Sequence, residues 1–349
     1  MKCALRHAAL AALIALAPLS AAAAPQTVGS PAIAWQSVGT LSPAAGYAEN
    51  IGVAGLVQGT FGDYIIVGGG ANFPNGGPLT GAAKVTYPDV YVLRATADGL
   101  VETDHAQMPY PVGYGASVTT PGGVLYFGGS TDETGARAVT RLTAPDGKLH
   151  TEALPPLPFA LQNGVAVYDR GMVYLGGGKQ DGDFSTHFYA YDVMTGALSQ
   201  LPDFPGAARE QSVAEMLGGR LYVFSGGAGE AYADGYAYDP KTRTWTSVAA
   251  PNVDGQPVSL LGARAVRLSS DEMLVVGGFN LEIYNWAVSN LTTLTGEEKE
   301  AFRAHYFTMA PEDYHWNKEM LVYNAKTNAW RSIGQLPFSA PCGEALVMA

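Results

Sequence analysis

Short runs of aliphatic and aromatic residues, each closing on glycines, recur along the chain. They read DYIIVGGG to Gly70, VLYFGG to Gly129, MVYLGGG to Gly178, LYVFSGG to Gly227 and MLVVGG to Gly278. Before each stands another apolar run: GVAGLVQG, GASVTT, GVAVYD, SVAEML and ARAVRL. An aromatic run follows the glycines, clearest in YAYDVMTG from Tyr189, GYAYDPKTRTW and MLVYNAKTNAW. A last run follows the Trp or its replacement and leads into PLP, DFP or QLPF. Runs this short, bounded by Gly, Pro and Asp, predict strands rather than helices.

Four predicted strands thus repeat with a period of about 50 residues, that of kelch blades. The glycines let the backbone turn where neighbouring sheets crowd. YDPKT reads as a turn with Asp capping its own loop, and the Trp as an apolar body between blades. One blade cannot bury both faces alone, so blades stack around an axis. The expected fold class is all-β, a six-bladed kelch-type β-propeller. Five repeats are complete. IAWQSVGTLSPA, around Trp35 to Ala44, reads as the last strand of a sixth blade, and APCGEALVMA as its first strand. That blade is expected to be incomplete at the C-terminus, leaving a strand edge open. The regular spacing argues against a β-sandwich with chance glycine pairs.

Composition agrees with this reading. The 349 residues are 47% hydrophobic and 15% charged, with 43 Gly and 22 Pro, which suits many short strands and tight turns. A net charge of −11 leaves no basic patch for phosphates, so neither nucleic acid nor an anionic membrane is an expected partner. Residues 1–24 read as a cleaved leader: Lys2 and Arg6 precede the apolar AALAALIALAPL, and an Ala-x-Ala site ends at Ala24. The apolar run falls short of the roughly 20 residues of a membrane anchor. Residues 25–349 are then expected to form one propeller domain, periplasmic in a Gram-negative source. Cys3 leaves with the leader, and Cys342 alone supports neither an internal disulfide nor a thiolate metal site.

In a four-stranded meander the connections from strand 2 to 3, and from strand 4 to the next strand 1, emerge on one face. Ala71–Pro88 and Phe279–Met320 are of the first kind, Phe204–Gln211 of the second. Loops on a rigid scaffold are where binding residues usually sit. Residues 279–320 form an insertion, expected to be a lid. In it TGEEKEAFRAHYF predicts a helix with Thr295 as N-cap and acidic residues in the first turn. His305, Glu312, Asp313, His315 and Lys318 offer acid, base or charge recognition, and each also reads as a solvated loop residue. Arg209 either clamps a carboxylate through its planar fork or ties its own loop together. Asn72, Gln211 and Asn280 lie beside glycine turns and either read sugar hydroxyls or cap loops.

GGFNLEIYNW, followed by AHYFTMAPEDYHWNKEMLVYNAKTNAW, resembles a blade of the bacterial N-acetylneuraminate mutarotase (epimerase) family, which are periplasmic six-bladed kelch propellers. LPDFPGAAREQSVAEMLGGRLYVFSGG and NIGVAGLVQGTFGDYIIVGGGANFP resemble other blades of that family. The insertion-bearing blade comes early there and fifth here, the order of a circularly permuted branch. The resemblance implies exchange of the anomers of a sialic acid by acid–base ring opening, with no cofactor and no metal. His305, Tyr306, Glu312, Asp313, Tyr314, Asn317 and Lys318 match the insertion motif. His305 and Asp313 are the expected catalytic groups. Arg209, Gln211, Asn72, Asn280, Tyr306, Glu312 and Lys318 are the expected sugar-binding residues, with Arg209 on the C1 carboxylate. The family's catalytic Glu lies in a Gly-Glu…Arg-Thr segment that would fall beyond Ala349, and Glu344 does not match it. A chain ending there is expected to bind sugar weakly at best and not to mutarotate.

Two other readings fit a kelch propeller. One is a non-catalytic module that presents a face to a glycan or protein. The other is a copper-radical oxidase, which needs a Cys cross-linked to a Tyr, and a lone Cys342 disfavours it.

Overall fold

The computed structural model describes residue 33 and residues 39–129 and 133–338. Within these the chain is mostly antiparallel strand, and the strands fall where the glycine-punctuated runs put them. Five sheets follow one another, each a meander of four strands in chain order, the first with a short extra strand, Val85–Thr86. Sheet 1 is Ala54–Phe61, Tyr64–Asn72, Asp89–Thr96 and Gly99–Gln107. Sheet 2 is Ala116–Thr120, Gly123–Phe127, Val139–Thr143 and His150–Leu154. Sheet 3 is Val165–Asp169, Met172–Gly176, Phe188–Asp192 and Leu198–Gln200. Sheet 4 is Val213–Leu217, Arg220–Phe224, Gly235–Asp239 and Thr244–Ser247. Sheet 5 is Arg264–Arg267, Glu272–Val276, Glu319–Asn324 and Ala329–Gln335. The first strands of successive sheets lie side by side, and all five line an axial channel of about 400 Å³.

The second strands read as continuous apolar runs because both of their faces are buried. Side chains alternate across a strand, so Val124 and Tyr126 pack towards sheet 1 while Leu125 and Phe127 pack towards sheet 3. The same division puts Tyr174 against sheet 4 and Leu175 against sheet 2. Trp245 fills the seam between sheets 3 and 4, with Phe188 and Phe204 at centroid distances of 5.4 and 5.3 Å, and donates its indole N–H to the Pro202 carbonyl at 2.9 Å. Trp330 repeats the device one sheet on, against Phe224 and the Ala249 carbonyl. Glycine is required at Gly129, where φ is +71° and a Cβ would lie 2.2 Å from the Gly115 nitrogen. The turns after the third strands are held by Asp192, Asp239 and Asn324, each accepting from backbone amides two or three residues on.

The insertion contains two helices, Leu281–Thr293 and Gly296–Tyr306, then a 3-10 turn at Pro311–Tyr314. The second is the predicted helix, with Glu297 and Glu298 in its first turn, but Thr295 makes no side-chain capping bond. The first was not predicted. Its N-cap is Asn280, whose Oδ1 accepts from the amides of Glu282 and Ile283 at 3.1 and 3.0 Å. Residues 1–24, Trp35, Cys342 and Glu344 lie outside the described residues, and of the predicted strand Trp35–Ala44 the described part, residues 39–44, carries no strand.

Candidate functional site

Where the connections of the expected face enter the first strands, the channel ends in a ladder of backbone hydrogen bonds running from sheet to sheet. The amide of Tyr114 donates to Gly55 at 2.7 Å, Asn163 to Tyr114 at 2.6 Å, Gln211 to Asn163 at 2.9 Å and Gly262 to Gln211 at 3.1 Å. All five residues are left-handed, with φ of +71° at Gly55, +63° at Tyr114, +53° at Asn163, +55° at Gln211 and +75° at Gly262. A side chain holds that conformation at a cost of about 1 kcal/mol, and the ladder over-determines it at the three non-glycine positions. Tyr114, Asn163 and Gln211 are thereby fixed around the mouth of the axis.

The tripeptide Arg209–Gln211 is pinned at every residue. The Arg209 carbonyl accepts from Gly178 at 2.8 Å, and Glu210 exchanges both backbone bonds with Gly227 at 2.9 and 3.0 Å. Arg209 itself is buried, 2% exposed. Its Nε donates to the Ala207 carbonyl at 2.8 Å, its Nη1 to the Ser225 carbonyl at 3.0 Å and to Asp234, and its Nη2 to Asp234 at 2.9 Å. The Phe204 and Tyr232 rings sandwich the guanidinium at 4.8 and 4.4 Å. Of the two readings of Arg209, the loop tie is the one the geometry shows.

Glu210 is held at the mouth by two neighbours. The Asn163 Nδ2 donates to its Oε2 at 2.7 Å, and the Lys179 Nζ stands 3.9 Å from the same oxygen. A carboxylate only accepts, so the bond sets the Asn163 amide with Nδ2 towards Glu210. Tyr284, on the first helix of the insertion, is near enough for the Glu210 charge to act on it. Burial is the larger cause that pushes its hydroxyl up, and Glu210 adds to it. Lys84 reaches the Tyr114 hydroxyl across the same region. Sequence reasoning missed Asn163, Lys179, Glu210 and Tyr284. The available signal was their position, each in a 2–3 or 4–1 connection.

The other expected residues scatter. Asn280, Glu312 and Lys318 line a separate groove of about 710 Å³ between the insertion and the Gln256–Ser259 segment, where Asn280 is spent on its helix cap. His315 and Asn317 line it too. Asn72 caps a loop, donating to the Gly52 carbonyl at 2.6 Å and accepting from Tyr87 at 2.7 Å. Tyr306 sits in an aromatic knot with Trp286, Phe302, Phe307 and Tyr314 that joins the two helices. His305, with its ring 6.3 Å from that of Trp286, and Asp313 are both exposed, and neither lines the groove. Gln211 alone among the expected residues belongs to the ladder at the mouth.

A family model described as N-acetylneuraminate epimerase matches residues 154–349. The chain belongs to the N-acetylneuraminate epimerase family. The N-acetylneuraminate epimerase of Salmonella arizonae is 33% identical over 211 residues, covering 57% of this chain and 53% of that protein. That of Yersinia enterocolitica is 33% identical over 208 residues, covering 56% and 51%. The matched stretch thus spans about half the length of these curated relatives. A solved structure of YjhT superposes with a TM-score of 0.49 at 27% identity, over 54% of this chain and 56% of that one. In this member of the epimerase family the matched residues include Asn163, Lys179, the pinned Arg209–Gln211 tripeptide and the whole insertion.

Proposed function

We propose that this chain interconverts the anomers of N-acetylneuraminate or a closely related sugar acid by acid–base ring opening. The observation that carries the reading is the family match over the half of the chain that holds the polar mouth and the insertion. The relatives it resembles are named N-acetylneuraminate epimerases. The chemistry is within reach of ordinary side chains: one group takes the proton of the anomeric hydroxyl, another protonates the ring oxygen, and reclosure reverses both transfers. In this reading the insertion is a lid that contributes Tyr284, within reach of the Glu210 charge, while Glu312 and Lys318 line the separate groove and Tyr306 joins the two helices. Arg209 acts beneath the site by holding Glu210 and Gln211 in place. The leader-like residues 1–24 support export, which would place the reaction in the periplasm.

The proposed architecture is a six-bladed, circularly permuted propeller. Its support is the pair of end faces. Sheet 5 offers Leu274, Val276, Met320 and Val322, against which Ile33 packs, and sheet 1 offers Leu56, Ile65, Val67, Tyr91 and Leu93, against which Leu41 packs. One N-terminal segment therefore touches both faces that a sixth blade would separate.

A second reading, a non-catalytic glycan- or protein-binding module, is favoured by Trp286, which is 40% exposed on the insertion beside Phe302. Proton NMR of freshly released α-N-acetylneuraminate separates the two. A mutarotase hastens the approach to the anomeric equilibrium, and a binding module leaves its rate at that of buffer.

A further inference from the structure

We infer that the axial channel is a binding site for a small monovalent anion of the halide class, with Arg264 and Arg267 supplying charge and the Ser117 and Thr119 hydroxyls supplying further donors. The inference does not rest on the mutarotase reading, and the two stand or fall separately. The channel, about 400 Å³, is lined by the first strands of all five sheets. Among the described residues its titratable and charged groups are Tyr168 from sheet 3, Glu215 from sheet 4, and Arg264 and Arg267 from sheet 5, while sheets 1 and 2 bring none. Two guanidiniums against one carboxylate leave a positive balance, in a chain whose net charge is −11. The overall composition therefore does not account for the sign of the channel.

The hydrogen bonds along the channel lean the same way. Ser117 Oγ accepts from the Gln58 amide at 3.2 Å, and Thr119 Oγ1 from the Thr60 amide at 2.9 Å. A hydroxyl whose oxygen accepts still has its own proton to donate, and among the described residues neither proton meets an acceptor. Arg267 spends one of its N–H groups on the Met216 carbonyl, at 3.4 Å. The carboxylate of the channel is already served: Glu215 accepts from the Met216 amide at 2.8 Å, and the Arg267 charge acts on it. Burial pushes the Glu215 carboxyl up, towards the neutral form, which lowers its opposition to a negative guest. What the channel has in surplus is thus donors and positive charge, and an anion satisfies both. A monovalent anion fits better than phosphate, whose second charge would stand against Glu215.

The test uses the full chain and the NMR linewidth of chloride, which broadens when the ion exchanges with a protein site. Folded protein should broaden the line more than heat-unfolded protein does, and added bromide should reverse the broadening. Arg264→Met should weaken chloride binding by at least about tenfold, and Arg267→Met, at the exposed end of its strand, serves if the first variant fails to fold. Glu215→Gln removes the like charge and should tighten binding by about fivefold at neutral pH, a gain that misfolding does not produce. Equal broadening by the wild type and both arginine variants would mark an adventitious ion only and overturn the site. A line no broader than with unfolded protein would overturn it too. Phosphate that displaces chloride more strongly than bromide does would contradict a monovalent site beside Glu215. Anomer exchange is measured separately, and its presence or absence leaves each of these outcomes as it is.

Discussion

Arg209 makes four hydrogen bonds to protein acceptors, out of the five N–H groups a guanidinium offers. A fork so engaged in a buried setting cannot also present its planar edge to a sugar carboxylate, and its influence on a ligand passes through the loop it holds. Replacing it with Ala leaves the Ala207 carbonyl and the Asp234 carboxylate without this donor, and the Ser225 carbonyl with the Ser212 hydroxyl alone. We expect Arg209→Ala to cost on the order of 3–5 kcal/mol of stability, seen as a lowered midpoint in urea. A variant with an unchanged midpoint would contradict the tie. The sequence leaves the two roles of Arg209 open because Asp234 lies 25 residues on, in a different connection. Glu210 and Asn163 are hidden for the same reason: 47 residues separate them, and only the stacking of sheets 3 and 4 brings them together.

At the scale of the element, period and punctuation carry most of the information. A run such as MVYLGGG must be a buried strand, since every side chain finds a neighbouring sheet and Gly176 and Gly178 have no room for a Cβ. The first helix of the insertion escapes notice because Asn280 follows a glycine pair and reads as loop, though its side chain is a good N-cap. Asn280→Ala should therefore cost about 1 kcal/mol and lower the melting temperature. An unchanged melting temperature would show that the helix does not depend on its cap. The first strands carry a second consequence. Burial in the channel pushes the Glu215 carboxyl up, against the opposing effects of the Met216 amide and the Arg267 charge. A carboxyl raised in the folded state contributes stability below its unfolded pKa of about 4.3, and that contribution is lost as the pH rises through the folded value. Glu215→Gln should accordingly stabilise the protein at pH 8 and make little difference at pH 4. Equal shifts at the two pH values would contradict a desolvated Glu215.

For the whole molecule, five meanders sharing an axis create a site that no single unit contains. The ladder from Gly55 through Tyr114, Asn163 and Gln211 to Gly262 ties one residue of every sheet into one rim. A change of sheet packing therefore moves the mouth, and a ligand at the mouth reports on the packing. The insertion comes from sheet 5; Tyr284 on its first helix is within reach of the Glu210 charge, and its groove opens against the Gln256–Ser259 segment. The activity we propose for this member of the N-acetylneuraminate epimerase family is exchange of sugar anomers at that rim. The most direct measurement starts from α-N-acetylneuraminate freshly released by a sialidase and follows its proton resonances with the folded protein, with heat-unfolded protein and in buffer alone. We predict that folded protein speeds the decay of the α anomer at least about tenfold and that unfolded protein does not. Decay at the rate of buffer, with protein shown to be folded and sugar in excess, would contradict the account.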